Sequence, residues 1–274
     1  MDNNPLRQYF RRPAVYISLP SKGEGYSNED LEMPETNELP VYPMTAIDEI
    51  TARTPDALFN GTSIVDLIKS CVPSIKNPWA IKSVDMDAIL IGIRAASGGE
   101  MLEIDTTCPS CEVTATYSIN LIAALSSLKP GNYKTPLEVG NLKIKFRPLV
   151  YSEMNQASLG QFEVQKFFDA LYTIETEEER NAASREALEK ITFLTMDILS
   201  KTIEYIETPN GNVDDKAFIL DFMKNCDNTV YNSIRDHSAE LKEGTELKPA
   251  TINCASCSHE YDQAYSINPT DFFG

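Results

Sequence analysis

The first half of the chain combines two hydrophobic spacings. Apolar positions recur every three or four residues in 63–71 and 85–93, as on one face of a helix, and Gly98-Gly99 follows the second run as a stop signal. Apolar and polar residues then alternate along 112–119, which is typical of a half-buried strand. Shorter predicted elements complete the pattern: strands at 14–19, 39–41, 101–104 and 142–146, and helices at 54–60 and 121–128.

The second half has a different pattern. From Ser152 to about Glu243 the apolar positions keep a helical spacing throughout, and Pro209-Asn210-Gly211 marks a turn within this block. Residues 251–274 return to a strand-like pattern. The sequence therefore predicts an α+β protein with a mainly α-helical segment in its second half.

Composition places the chain among folded proteins. Its 274 residues are 42% apolar and 24% charged, which excludes disorder over the whole chain and allows one large domain or two ordinary ones. No apolar run approaches the roughly 18 residues of a membrane span, and the first residues lack the apolar core of a secretory signal. We therefore expect folding in a reducing cytosol, where disulfides are rare.

Charge is distributed unevenly and argues against two classes of partner. The net charge is −17, of which residues 1–150 contribute −4 and residues 151–274 contribute −13. Proteins that bind nucleic acid or anionic membranes gain affinity from clusters of Lys and Arg, and this chain has no large cluster of that kind. We expect neither nucleic acid nor membrane as a partner.

Two cysteine pairs with the same spacing are the most informative chemical feature. Cys108 and Cys111 form one C-x2-C motif, and Cys254 and Cys257 form another. Two such turns supply the four thiolates of a tetrahedral Zn²⁺ site with bonds of about 2.3 Å. Because four thiolates leave no open position for water, the sequence predicts one structural zinc ion per chain and not a catalytic one.

The surroundings of the two motifs support this prediction more than their spacing does, because 143 positions separate Cys111 from Cys254. Each motif leads to a Tyr-Ser-Ile-Asn sequence, at 117–120 and at 265–268, as expected for two equivalent halves of a zinc ribbon. Two separate redox pairs and unmetallated thiols are the alternatives.

A shared zinc site also predicts the domain organisation. The end of the chain must return to the first half, which makes the helical block an insertion. We predict an N-terminal arm and extended segment at 1–52 and an α+β, ribbon-like zinc-knuckle body formed by 53–150 together with 250–274. Between the two parts of that body, residues 151–249 form an acidic helical insertion.

Other candidate residues have simpler interpretations. Cys71 and Cys226 lie on apolar helix faces and are predicted to be buried thiols. His237 is predicted at an exposed or C-terminal position of a helix, and His259 is a weaker candidate ligand close to Cys257. No catalytic motif occurs and a surplus of acids is typical of solvated helix faces, so we predict no catalytic residues and no enzyme. A hydrolase with unrecognised carboxylates is the alternative.

The first twelve residues carry an unusual share of the basic side chains. Arg7, Arg11 and Arg12 lie beside Tyr9 and Phe10. This arm is either a solvated tail or a tail that docks on an acidic neighbour with its aromatic residues as anchors. A second copy of the chain is one such neighbour.

Several segments together resemble the baseplate-protein family of T-even-type contractile-tailed phages. They are residues 39–49 (LPVYPMTAIDE), 55–61 (PDALFNG), 72–75 (VPSI) and 85–94, the CPSC motif at 108–111, and the later C-x2-C motif. The resemblance runs in order over residues 13–274 and is most specific between Leu39 and Cys111. Members of that family are described as baseplate hub subunits or hub-assembly proteins.

The resemblance implies a non-enzymatic structural or assembly component in the hub region of a phage tail baseplate. It implies a location in the virion, and in the host cytoplasm during assembly. The implied partners are other baseplate and tail proteins; further copies of the chain are a candidate because of the basic arm. Two alternatives stay open: a transient assembly chaperone that is absent from the mature virion, and a zinc-ribbon adaptor or nucleic-acid-binding module.

Overall fold

The computed structural model describes residues 4–52, 61–171 and 176–265 and has an α+β fold. Its α-helices are α1 Ala46–Ala52, α2 Thr62–Cys71, α3 Ser83–Gly98, α4 Leu121–Ser127, α5 Tyr151–Leu171, α6 Glu177–Lys201, α7 Lys216–Asn225 and α8 Asn228–Glu243. Its strands are β1 Val15–Ile17, β2 Leu39–Val41, β3 Met101–Thr107, β4 Thr114–Asn120, β5 Leu137–Val139, β6 Leu142–Phe146, β7 Ile203–Thr208, β8 Gly211–Val213, β9 Ala250–Asn253 and β10 Glu260–Gln263. Within these ranges no helix is both long enough and apolar enough to cross a membrane.

Two predicted features lie outside the described residues. They are the short helix at 54–60 and positions 266–268 of the second Tyr-Ser-Ile-Asn sequence. The chain forms two compact units, of which one contains Met1–Pro130 with Thr245–Gly274 and the other contains Gly131–Gly244. Every sheet is antiparallel: β1 pairs with β2, β3 with β4, β9 with β10, and β5 to β8 form one four-stranded sheet.

The core of the first unit forms around α3. Ten of its sixteen residues are buried, because its apolar positions cover more than one face. Helix α3 packs closely against β1 and β2: a Cβ added at Gly92 would lie 2.9 Å from Ile17 and 3.4 Å from Val41. These two strand residues are fully buried, so the strands of the predicted 1–52 segment contribute to this core.

The second unit is built on the four-stranded sheet. Asp215 and Asp227 cap α7 and α8 by accepting hydrogen bonds from the second and third backbone amides of each helix. The buried side chains come from β6, β7, α6, α7 and α8: Ile144, Phe146, Leu199, Ile203, Ile206, Ile219, Met223, Ile234 and Leu241. This cluster is a hydrophobic core made within residues 131–244.

The prediction of helix throughout 152–243 is wrong between α6 and α7, where the chain forms β7 and β8. Thr208 pairs with Gly211, which leaves Pro209-Asn210 as a two-residue hairpin loop. Strand β7 forms because β6 supplies its partner, with Ile144 opposite Ile206. The strand predicted at 142–146 therefore pairs within the second unit.

Candidate metal centre

Two antiparallel hairpins carry the four cysteines, and we call them the cysteine hairpins. The first consists of β3 and β4, and its loop contains Cys108 and Cys111. The second consists of β9 and β10, and its loop contains Cys254 and Cys257. Because each C-x2-C motif lies in a loop between paired strands, its two sulfurs are held together at one end of a hairpin. Both hairpins belong to the first unit.

The two loops share one backbone geometry. In each loop the amide of the first cysteine donates to the carbonyl five residues later, at 3.0 and 2.9 Å. The amide four residues after that cysteine donates back to the cysteine carbonyl, at 2.9 and 2.8 Å. The residue that donates back is Glu112 in one loop and Ser258 in the other, with φ of 59° and 58°. The similarity of the two motifs in sequence thus extends to their backbones.

The spacing of the sulfurs fits a single tetrahedral metal ion. All four lie within 4.8 Å of one another. Cys108 Sγ is 3.7 Å from Cys257 Sγ, and Cys111 Sγ is 3.6 Å from Cys254 Sγ. A tetrahedral zinc site with bonds of about 2.3 Å has sulfur–sulfur edges of about 3.8 Å, whereas a disulfide bond is only about 2.05 Å long. The four-sulfur set therefore suits metal coordination, and all four cysteines are free.

The local electrostatics also suit a cation. The amides of Cys257 and Ser256 donate to the Cys254 sulfur and lower the pKa of its thiol to about 6. At Cys111 the Val113 amide acts to lower the pKa, but burial and the three neighbouring thiols outweigh it and raise the pKa to about 12. Four sulfurs this close cannot all be thiolates unless a positive charge lies among them. A divalent ion would supply that charge.

Two side-chain hydrogen bonds also join the hairpins. The Ala255 amide donates to the Tyr117 hydroxyl at 3.2 Å, and the Thr106 hydroxyl donates to the Gln263 side-chain oxygen at 2.6 Å. Sequence reasoning missed both, because they link residues 138 and 157 positions apart. The one signal in the sequence was the Tyr-Ser-Ile-Asn segment that contains Tyr117.

The other cysteines and the histidines lie outside the sulfur cluster found among the described residues. Cys71 is fully buried, and burial raises the pKa of its thiol to about 12. Cys226 is half-buried. The prediction of an exposed or C-terminal His237 is wrong, because its ring is only 22% exposed and packs edge-on against Phe146 at 5.0 Å. His259 stacks on Tyr261 in the second cysteine hairpin.

Arg11 of the N-terminal arm is bound within the chain. The Arg11 guanidinium donates to the carbonyls of Pro43 at 2.6 Å and Ser70 at 2.8 Å. It also lies 3.3 Å from a carboxylate oxygen of Asp48. Both interpretations of Arg11, as part of a solvated tail or as a residue that docks on a neighbouring protein, are therefore wrong. The other two arginines of the arm are exposed.

Comparison with known proteins adds an independent observation. A family model described as T4 bacteriophage base plate protein matches residues 27–274. No curated protein and no solved structure matches the chain. The matched range contains both cysteine hairpins and most of both compact units.

Proposed function

This chain belongs to the T4 bacteriophage base plate protein family, and we propose that it is a non-enzymatic component of the hub region of a contractile-tail baseplate. Membership of the family makes it a phage baseplate structural or assembly protein. The hub location is supported by the resemblance of residues 39–111 to hub and hub-assembly proteins. Its place in the virion tail, after synthesis in the host cytoplasm, follows from the same proposal.

The four-sulfur cluster is the observation that carries the structural part of this proposal. Cys108, Cys111, Cys254 and Cys257 would hold one Zn²⁺ per chain. The ion would cross-link the two hairpins and would not take part in catalysis, because four thiolates leave no coordination position for water or substrate. Since such a site does not exist in the unfolded chain, the free energy of metal binding becomes free energy of folding.

The surroundings of the centre support a role without catalysis. A groove of about 360 Å³ lies beside it, lined by residues 117–120, Ala123, Ala124, 250–253 and Tyr265. Among the described residues, this lining contains no carboxylate, imidazole or amine that could act as general acid or base near neutral pH. This composition supports the proposal of a non-enzymatic role.

The helices of the second unit support binding to other proteins. Several of their large apolar side chains are 39–68% exposed: Phe162, Leu188, Ile191, Phe193 and Phe218. Three of these side chains are aromatic, a residue class that is enriched at protein interfaces, while the negative charge of the chain opposes binding to phosphates. We propose other baseplate and tail proteins, with further copies of the chain among them, as the partners.

Locating the chain in finished particles tests the proposal. Purified tails and baseplates are probed with an antibody against the full chain, and we expect the chain to cosediment with both. Elemental analysis of the purified chain is expected to give one zinc per copy. A chain that is required for tail formation but absent from finished tails would be an assembly chaperone. Absence from tails and from all assembly intermediates would overturn the baseplate assignment.

A further inference from the structure

Tyr117 connects one cysteine hairpin to the metal-binding loop of the other. It lies on β4 of the first hairpin, yet its hydroxyl accepts a hydrogen bond at 3.2 Å from the amide of Ala255. Ala255 follows Cys254 directly and lies inside the second C-x2-C motif. A side chain from one half of the centre is therefore bonded to the turn that shapes the other half.

The bonded amide belongs to the turn that holds a buried cysteine. Cys254 is only 3% exposed, and the amides of Ser256 and Cys257, which follow Ala255 directly, donate to its sulfur. By binding the Ala255 amide, the Tyr117 hydroxyl fixes the turn that directs these two donors at the sulfur.

Comparison of the two loops shows why only one tyrosine takes this role. The position of Ala255 is occupied in the first loop by Pro109, which has no amide hydrogen to donate. The position of Tyr117, nine residues after the first cysteine of its motif, is occupied in the second hairpin by Gln263. Gln263 accepts a hydrogen bond from Thr106 instead. The tyrosine–amide bond is thus specific to the loop of Cys254.

We propose that Tyr117 is a positioning residue of the metal centre, whose hydroxyl holds the Ala255 amide and thereby fixes the turn around the Cys254 sulfur. This inference rests on the proposed metal site. Groups that bond to metal ligands orient those ligands and tune their basicity, and their loss lowers metal affinity by about 10- to 100-fold. The Tyr117 hydroxyl would act in this way from across the two hairpins.

The test compares Tyr117→Phe with the full wild-type chain, loaded with Co²⁺ or Zn²⁺. A hydrogen bond to a thiolate lowers the energy of its lone pairs, so a looser turn with weaker bonds from the Ser256 and Cys257 amides moves the sulfur-to-cobalt charge-transfer band to lower energy. We expect that shift, and about 10- to 100-fold weaker Zn²⁺ binding in competition with a chromophoric chelator. The matched control is Tyr261→Phe, because the buried Tyr261 hydroxyl has no hydrogen-bond partner among the described residues. This control is expected to keep the wild-type band and affinity.

A second variant tests the role of the amide. Ala255→Pro removes the donated hydrogen and reproduces the residue found at Pro109 in the first loop. Because the hydroxyl is then no longer held, Tyr117→Phe should reduce Zn²⁺ affinity less in the Ala255→Pro background than in the wild type.

The outcomes separate this inference from the metal site itself. If wild-type chain binds neither Co²⁺ nor Zn²⁺ with thiolate charge-transfer bands, the proposed centre fails and this inference fails with it. If the wild type binds both but Tyr117→Phe keeps the wild-type band position and affinity, the centre stands and the role of Tyr117 is overturned. The cobalt spectrum reports on the ligand directly, so a loss of global stability alone would not reproduce the expected shift.

Discussion

The cysteine hairpins and the β5–β8 sheet are both antiparallel, but their strands are held by different interactions. In the sheet, Ile144, Phe146, Ile203 and Ile206 are buried in a core with three helices. In the cysteine hairpins no strand has more than one buried residue, and most positions are exposed or half-buried. A two-stranded hairpin without a hydrophobic core is marginal in water. A metal cross-link is the kind of interaction that would compensate for the missing core.

The cysteine hairpins and the second unit are therefore expected to unfold when different interactions are removed. Apolar burial stabilises the second unit in proportion to the area removed from water. Metal binding would stabilise the hairpins by closing a loop of more than 140 residues, which the unfolded chain cannot close without a large loss of entropy. Variants that remove one kind of interaction should therefore leave the other region intact.

Removing two ligands is expected to have the largest effect. The double variant Cys254→Ser/Cys257→Ser is expected to lose its zinc, and the amides of 250–263 are expected to lose protection from hydrogen exchange. Its Tm should fall by more than about 10 °C, because the free energy of metal binding is part of the free energy of folding. Hydrogen exchange with mass spectrometry and elemental analysis measure both effects. Cys226→Ser is the control, since Cys226 lies outside the cluster, and it should keep its zinc. A double variant with wild-type protection in 250–263 would contradict the comparison.

Truncating the core of the second unit is expected to have the next largest effect. Phe146 is 1% exposed, so Phe146→Ala should destabilise the second unit by about 3–5 kcal/mol through lost burial and the remaining cavity. The zinc content should stay at the wild-type value. Denaturant unfolding and elemental analysis test these expectations. Phe193→Ala is the control, because Phe193 is 52% exposed, and it should cost less than about 1 kcal/mol. Release of zinc from Phe146→Ala would show that the stability of the metal centre depends on the core of the second unit.

The smallest effect is expected at the two left-handed loop positions. Ser258→Gly should stabilise the second cysteine hairpin by about 0.5 kcal/mol, since glycine adopts a φ of 58° without the steric cost that serine has there. Glu112→Gly should do the same in the first hairpin. Ser256→Gly is the control, because Ser256 has no positive φ and glycine there only increases the entropy of the unfolded chain. Thermal melts in which Ser256→Gly and Ser258→Gly change Tm in the same direction would contradict the argument from backbone conformation.

Much of the fold and of the candidate site could be predicted from local patterns. The apolar spacing of 85–93 lies within α3, the alternation along 112–119 corresponds to β4, and Pro209-Asn210-Gly211 is a turn. The cysteine motifs were recognisable because a C-x2-C turn needs only four consecutive residues. Each of these features depends on neighbours within a few positions of one another.

The shared cysteine site was predicted across a long stretch of chain because both of its halves carry a recognisable motif, but two other features that depend on distant partners were missed. The local apolar spacing predicts a helix where β7 lies. The strand forms instead because it pairs with β6, which brings together residues about 60 positions apart, such as Phe146 and Ile203. The sequence predicts Arg11 either in a solvated tail or docked on a neighbour, yet its guanidinium binds backbone carbonyls more than 30 and almost 60 positions away. Nothing in the arm itself distinguishes Arg11 from Arg12.

The sequence by itself determined which residues could form a four-thiolate site, where most helices lie, and that the chain is acidic. Only the tertiary structure decided that the four sulfurs meet within 4.8 Å, that Tyr117 reaches the loop of Cys254, and that β7 joins a sheet. The physical reason is that helix and turn preferences are local, because they depend on torsion angles and contacts within a few residues. Strand pairing and side-chain bonds between hairpins depend instead on the closure of long loops, whose cost is recovered only when the whole unit packs.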